Sequence, residues 1–334
     1  MPASIEDVAL AANVSTATVS RALRGLPNVS DRTRAKVARA AEQLNYAPSR
    51  SAAALASGRC RSIGIVTPSI ARWFFSLAIE GAADALRAAG YDALLYCIPD
   101  ATTPRTQFDP EVLRQRADAM IVASLSLIPS EMEALRSLEV PVTFISLAQP
   151  GFGFVGIDDT EAARQATHHL IALGHQHIAH LGGRRADTAP TAPTARRRAG
   201  WRATLLAAGL EAPDEYDHAG DFSALSGYRN TCAILDDHPE VTAVFAASDE
   251  MAIGAIQALH ERRLEPGRHL SVVGIDGHLF DEVVGLTSVE QPVRAQGAQA
   301  ARMLLDTLDG EPTPDYVLFP TTLVQRSSTA APRR

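Results

Sequence analysis

Six small or hydrogen-bonding side chains crowd into residues 15–21: Ser15, Thr16, Ala17, Thr18, Ser20 and Arg21. Such a set can read nucleic acid. Arg21 has the planar fork that pairs bidentately with guanine, and Thr16 and Ala17 can touch base edges or a thymine methyl. Ser15, Thr18 and Ser20 suit phosphate oxygens, which position a protein on DNA without specifying sequence. A second cluster, His168, His169, His175, His177 and His180, raises metal chemistry. Its spacing is that of a helix end and the loop after it, so no metal is expected. Cys60, Cys97 and Cys232 are odd in number, without metal-ligand spacing, and read as reduced structural thiols. The sequence holds no GxGxxG after a strand, no GxxxxGK[ST], no GxSxG and no HExxH. No catalytic residue and no cofactor is therefore expected, which sets aside an enzyme on a doubly wound fold.

The elements that must present Ser15 to Arg21 are legible nearby. Ser4, with Asp7 three residues on, has the pattern of a hydroxyl cap answered by an acid. Ile5, Val8, Ala9 and Ala12 then recur at helical spacing. Asn13 tolerates a left-handed turn, and Ser15 caps a second helix, Thr16 to Leu23, whose Val19 and Leu23 face a shared core. A third helix opens near Ser30, turns Val37, Ala40, Ala41 and Leu44 inward, and closes near Asn45. Two short helices joined by a tight turn match a helix-turn-helix, whose second helix enters the major groove.

Charge divides along the chain in the same sense. Residues 1–62 hold nine basic and four acidic side chains, or +5, so with a net charge of −7 the remainder carries −12. Such asymmetry is what a basic DNA-binding head on an acidic body shows. A chain of 334 residues is long enough for two or three domains. The start, MPASIEDVAL, lacks the basic and apolar segments of a signal peptide, and no run of 18 apolar residues is present. No membrane association and a cytoplasmic location are expected, which argues against a transport-type binding protein.

From Arg61 onward strands and helices alternate. Strands are predicted at Ser62–Thr67, Ala93–Ile98, Ala119–Ala123, Val142–Ser146, Phe154–Ile157, Ile178–Gly182, Thr242–Ala246, Ser271–Ile275 and Val317–Phe319. Amphipathic helices lie between them, among them Phe75–Ala89, Thr160–Leu173, Ala195–Ala208, Asp249–Arg263 and Arg294–Leu308. This alternation predicts parallel sheets covered on both faces, and its length suggests two such lobes. A ligand would bind at the carboxyl ends of the strands, between the lobes.

The segment IEDVALAANVSTATVSRALRGLPNVSDRTRAKVARAAEQLNYAPSRSAAALASG resembles the DNA-binding head and hinge of the lactose-repressor and purine-repressor family. VSTATVSRAL is the specific signature, and Asn13 stands where glycine is commoner. The resemblance implies a helix-turn-helix head over 1–46, a hinge helix linker over 47–60 and an effector-binding, dimerising sensor over 61–334. Residues 51–56 are too few for a stable isolated helix. The family instead forms paired hinge helices on the operator, with Leu55 at the position of the minor-groove wedge, which kinks DNA at a cost of roughly a few kcal/mol per step.

RSIGIVTPSI, FVGIDDTEAARQATHHLIALGHQHIAHLGG, TARRRAGWRATLLAAGL, GDFSALSGY, AVFAASDEMAIGAIQAL and LSVVGIDG extend the resemblance over the whole chain. The implied fold is an all-α head plus an α/β sensor of two doubly wound parallel-sheet lobes, similar to periplasmic sugar-binding proteins. Lobe 1 would combine about 61–158 with 292–319, and lobe 2 about 159–291 with 320–328. Carried over by position, Phe74, Phe75, Arg197, Phe222, Ser248, Asp249 and Asp276 would line an effector site. The implied function is a repressor that binds a pseudo-palindromic operator as a homodimer, switched by a sugar, sugar acid or related metabolite. Two departures weaken a plain-hexose reading. Ile70-Ala71-Arg72-Trp73 replaces a polar-Asn-Pro run, and Ser146 and Gln149 stand where acids often occur in sugar-sensing members. After Gln325 no leucine heptad follows, so no tetramer through a C-terminal coiled coil is expected.

Overall fold

A computed structural model describes residues 3–23, 25–46, 59–98, 109–114, 116–185 and 189–333. The chain divides into two compact units, Met1–Cys60 and Arg61–Arg334. Leu55 lies outside the described residues.

The first unit is built of α1 (Ile5–Ala11), α2 (Thr16–Leu23) and α3 (Asp31–Gln43). Each begins as its sequence dictates. The Ser4 hydroxyl accepts from the Asp7 amide while the Asp7 carboxylate accepts from the Ser4 amide, Ser15 accepts from the Thr18 amide, and Ser30 accepts from the Thr33 amide. Asn13 turns the chain between α1 and α2 with φ 49°. Val8, Ala9, Ala12, Val19, Val37, Ala40 and Ala41 form the core, with Leu23 packed against it. Leu44 corrects the expected inward stripe. It follows the end of α3 and is 36% exposed, while Tyr46, from the turn beyond, packs on the core instead.

The second unit holds two sheets, each of six strands among the described residues. The first runs in the order β11-β5-β4-β3-β1-β2, with every pair parallel. Its strands are β1 (Ser62–Thr67), β2 (Asp92–Cys97), β3 (Ala119–Ala123), β4 (Val142–Ile145), β5 (Gly153–Ile157) and β11 (Tyr316–Phe319). The second sheet takes β6 (Ile178–Gly182), β7 (Asp217–Ala219), β8 (Ala243–Ala246), β9 (Ser271–Asp276), β10 (Thr287–Glu290) and β12 (Thr322–Val324). Its order is β12-β10-β9-β8-β6-β7, and β12 pairs antiparallel with β10, so this lobe is not purely parallel.

The chain passes between sheets after β5, after β10 and after β11, so each lobe is assembled from separated stretches. Helix packing shows why the returns fit. α4 (Trp73–Ala88) lies against α12 (Val293–Asp309), and both carry a glycine at the contact. A Cβ on Gly81 would strike the Arg294 carbonyl, and one on Gly297 the Ala78 carbonyl. Ala300, Ala301 and Leu304 of α12 complete one face of the first sheet's core together with Ile63, Ile65, Ala82 and Leu86. Trp201 and Phe245 are the largest fully buried side chains of the second lobe. There the indole also donates to the Ile178 carbonyl at 3.2 Å, so its polar edge is satisfied.

Candidate functional site: a cavity between the lobes and an exposed helix face

Both sheets point the carboxyl ends of their parallel strands at one cavity of about 370 Å³. The first lobe contributes Pro68 and Ser69 after β1, Ser124 and Ser126 after β3, and Ser146 and Leu147 after β4. It also supplies Arg72, Phe74 and Phe75 at the start of α4. The second lobe supplies Arg184, Thr194, Arg197, Asp221, Phe222, Ser248, Glu250 and Asp276 among others. Open α/β sheets bind ligands at this place, because the loops leaving the strands can vary while the sheet stays rigid.

Six of the seven expected effector residues line this cavity: Phe74, Phe75, Arg197, Phe222, Ser248 and Asp276. Phe74 and Phe75 meet edge to face, with ring centroids 5.4 Å apart, and form an apolar platform. Arg197 rises from the first turns of α8 (Pro193–Ala207) and is only 5% exposed. Its Nε donates to Asp159 at 2.8 Å, its Nη1 donates to the Ala247 carbonyl, and Asp276 lies 3.8 Å from Nη1. Asp276 ends β9 and accepts from the Gln291 side-chain amide at 2.7 Å. Burial pushes its carboxyl up to about 8, against the pull of Arg197. At neutral pH the group therefore holds a proton and can donate as well as accept.

Asp249 departs from the expectation. It opens α10 (Asp249–Glu261), is fully buried and does not line the cavity. Its carboxyl accepts from the Gly277 amide at 2.6 Å, the His278 amide at 3.0 Å and the Ser288 hydroxyl at 2.8 Å. Burial and the neighbouring Asp281 hold it well above the usual carboxylate range. The residue holds the loop after β9, and its carboxyl also bears electrostatically on Asp276 and Arg197 of the cavity wall.

Four non-glycine residues of the wall have left-handed or related backbone: Ser124 at φ 45°, Ser146 at 70°, Phe222 at 63° and Asp276 at 145°. Strained backbone of this kind persists where the surroundings over-determine it, which is common at ligand sites. Sequence reasoning did not name Ser69, Ser124, Ser126, Thr194, Arg184, Asp221 or Glu250. For Ser124 a signal existed, since it directly follows a strand predicted with the right end.

Arg72 and Trp73 cross the cleft. Arg72 Nη1 donates to the Asp221 carbonyl at 2.8 Å and its Nε lies 3.5 Å from Glu250. The Trp73 amide donates to Glu250 at 3.1 Å, and the indole ring stands 5.0 Å from the His278 ring.

The histidines of the second cluster are engaged separately. His169 meets Thr329, His175 bonds Thr242 and Ser271, and His180 bonds Asp217 at 2.9 Å and stacks on Trp201. Among the described residues no group of three potential ligands is placed to hold a metal ion.

In the first unit α2 is two-faced. Val19 is buried, Thr18 and Ser20 are half-buried, and Ser15, Thr16, Ala17 and Arg21 are exposed. The Ser15 and Thr18 hydroxyls lie 2.9 Å apart at the start of the helix.

A helix-turn-helix unit and a two-lobed sensor with a cleft define a ligand-responsive regulator. Residues 4–49 match the profile of bacterial regulatory proteins, lacI family, and 167–329 that of the periplasmic binding protein-like domain. The chain is 32% identical to the lactose operon repressor of Escherichia coli K12, over 99% of this chain and 92% of that one. It is 30% identical to catabolite control protein A of Priestia megaterium, over 98% and 100%. The lac repressor dimer bound to operator and the anti-inducer ONPF matches with a TM-score of 0.86 at 29% identity, covering 99% of this chain and 100% of that one. A transcriptional regulator CelR–cellobiose complex matches with a TM-score of 0.70 at 30% identity, over 98% and 99%. The chain belongs to the lacI family of bacterial regulatory proteins, and its function is the regulation of transcription.

Proposed function

We propose that this regulator is a repressor that binds a pseudo-palindromic operator as a homodimer and is switched by a small molecule in the cleft. Two recognition helices need two half-sites, which a two-fold dimer supplies, and the related lac repressor is a dimer on its operator. In this reading residues 1–46 are the DNA-binding head, 47–60 the hinge and 61–334 the sensor. Thr16, Ala17 and Arg21 meet bases, and Ser15, Thr18 and Ser20 meet phosphates. Leu55 is the minor-groove wedge. The chain is not an enzyme and works in the cytoplasm. Among the described residues no helix is long and apolar enough to cross a membrane.

The single observation that carries the sensing role is the cavity itself: an aromatic platform, buried Arg197 and Asp276, and hydroxyls from both lobes converge on it. That mixture suits a polyol or its acid, which needs donors and acceptors around an apolar face. CelR, a relative of similar fold, is in complex with cellobiose. The experiment is a thermal-shift screen of the full chain against sugars, sugar acids, sugar phosphates and nucleobases. A ligand at 100 times its Kd stabilises by about 2.7 kcal/mol. The expected hit is a sugar-like compound whose shift is lost in both Asp276→Ala and Arg197→Ala. Nucleobases alone binding would overturn the class.

A further inference from the structure

The first turn of α4 is completed by the opposite lobe. A helix start leaves amides with no partner inside the helix. Arg72 stands at the capping position and makes no side-chain cap, since a guanidinium can only donate. The acceptor comes instead from Glu250, in the first turn of α10, whose Oε1 accepts from the Trp73 amide at 3.1 Å. One carboxylate thus lies at the N-terminal ends of two helices, where negative charge is favoured, and the helices belong to different lobes.

Arg72 reaches the same way. Its Nε lies 3.5 Å from Oε2 of Glu250, and its Nη1 donates to the Asp221 carbonyl at 2.8 Å. The Trp73 ring stands 5.0 Å from that of His278. One dipeptide of the first lobe therefore holds the loop after β7, the start of α10 and the loop after β9. Its place in the sheets matters. The chain crosses between lobes after β5, β10 and β11, strands at or next to one edge of their sheets. β7, which Asp221 follows, is the opposite edge of the second sheet, and β1, which leads to Arg72, is fifth in order from β11. Parting the lobes about the crossings separates these far strands, so it must break the contacts of Arg72. The close glycine contacts of α4 with α12 fix the helix to its own sheet, so a tie at its start holds the whole lobe.

We propose that Arg72, Trp73 and Glu250 form a latch across the cleft, which holds the lobes together before effector is bound, so that entry to the cavity waits on its release. As a gate the latch rests on the sensing role given above, but as a tie between lobes it is tested without a ligand. It also assigns a task to the arginine and tryptophan of Ile70-Ala71-Arg72-Trp73.

The test uses Thr194→Cys in the full chain. Thr194 lines the cavity from the start of α8 and is 8% exposed. A fluorescein maleimide reaches a thiol there only through an open cleft, and its labelling rate, read at that peptide by mass spectrometry, reports how often the lobes part. With the latch intact, labelling should be at least ten-fold slower than in the urea-unfolded chain. Glu250→Ala and Arg72→Ala should each speed it five-fold or more. The two together should add no more than about two-fold to the faster single change, because either one undoes the same latch. Glu250→Gln, which keeps an acceptor for the Trp73 amide but not the charge, should fall between. Melting curves check that each variant folds. Fast labelling with the latch intact, rates that neither change alters, or increases that multiply in the double variant would each overturn the latch and leave the effector reading standing. If labelling behaves as expected and no compound binds in the thermal-shift screen, the effector reading and the gating role fall together while the tie between lobes stands.

Discussion

Asp276 sets two properties through one carboxyl group. It faces the cavity, and burial holds its proton on to about pH 8. In the unfolded chain the same group ionises near its ordinary value of 3.8. Between those limits the unfolded state binds fewer protons than the folded one, so stability falls as pH rises. Asp281, which burial raises to about 6, acts in the same direction over a narrower span. Asp276→Asn should therefore make the drop in Tm between pH 5 and pH 8 shallower than in the wild type. Parallel curves would show that Asp276 is ionised in the folded chain. Residue identity was legible here and residue circumstance was not. Arg197 and Asp276 are named by resemblance and do line the cavity. Asp249 has the same credentials and is turned into the loop beneath it, because an acid at a helix start serves a nearby amide as readily as a ligand. Arg72 is visible in the sequence only as added bulk and charge. Its hydrogen bond across the cleft is to the carbonyl of Asp221, 149 residues away in the chain, and no local pattern reports that.

At the scale of elements, continuous apolar runs were the readable part. Ser62–Thr67, Ala119–Ala123 and Ile178–Gly182 are predicted with the bounds they have in the fold, since buried parallel strands show as unbroken apolar stretches between turns. Asp217–Ala219, Thr287–Glu290 and Thr322–Val324 were missed. Each has four residues or fewer and a polar side chain, so its strand character comes from pairing with a neighbour. The glycines between α4 and α12 are a further feature that periodicity does not reveal. Alanine normally improves a helix over glycine by about 1 kcal/mol. At Gly297 the added Cβ meets the Ala78 carbonyl, and overpacking of that kind costs about 1–3 kcal/mol. Gly297→Ala should thus lower the denaturant midpoint of the sensor transition. A raised midpoint would mean that the two helices separate at little expense.

For the whole molecule the question is how a ligand in the second unit alters the grip of the first. Any such coupling is reciprocal. If effector changes operator affinity by some factor, operator must change effector affinity by the same factor, and couplings of this type are typically about 1–3 kcal/mol. Titrating effector with and without a saturating operator duplex, and operator with and without saturating effector, should give equal ratios. Unequal ratios would mean that the two measurements do not report one shared equilibrium. A ratio of one in both would remove the switch altogether. The sign of the effect then follows directly from which way the ratios depart from one.

The lobes are not contiguous in the chain, and that has a consequence for how the protein is made. Helix α12, which fills one face of the first sheet, and the edge strands β11 and β12 all follow residue 292. The helix-turn-helix ends by Gln43. At about 5–20 residues per second, translation of the intervening stretch occupies on the order of tens of seconds. Through that interval a nascent chain displays a finished DNA reader while neither half of its sensor can close. Each newly made copy therefore begins with a recognition surface that no metabolite can yet govern.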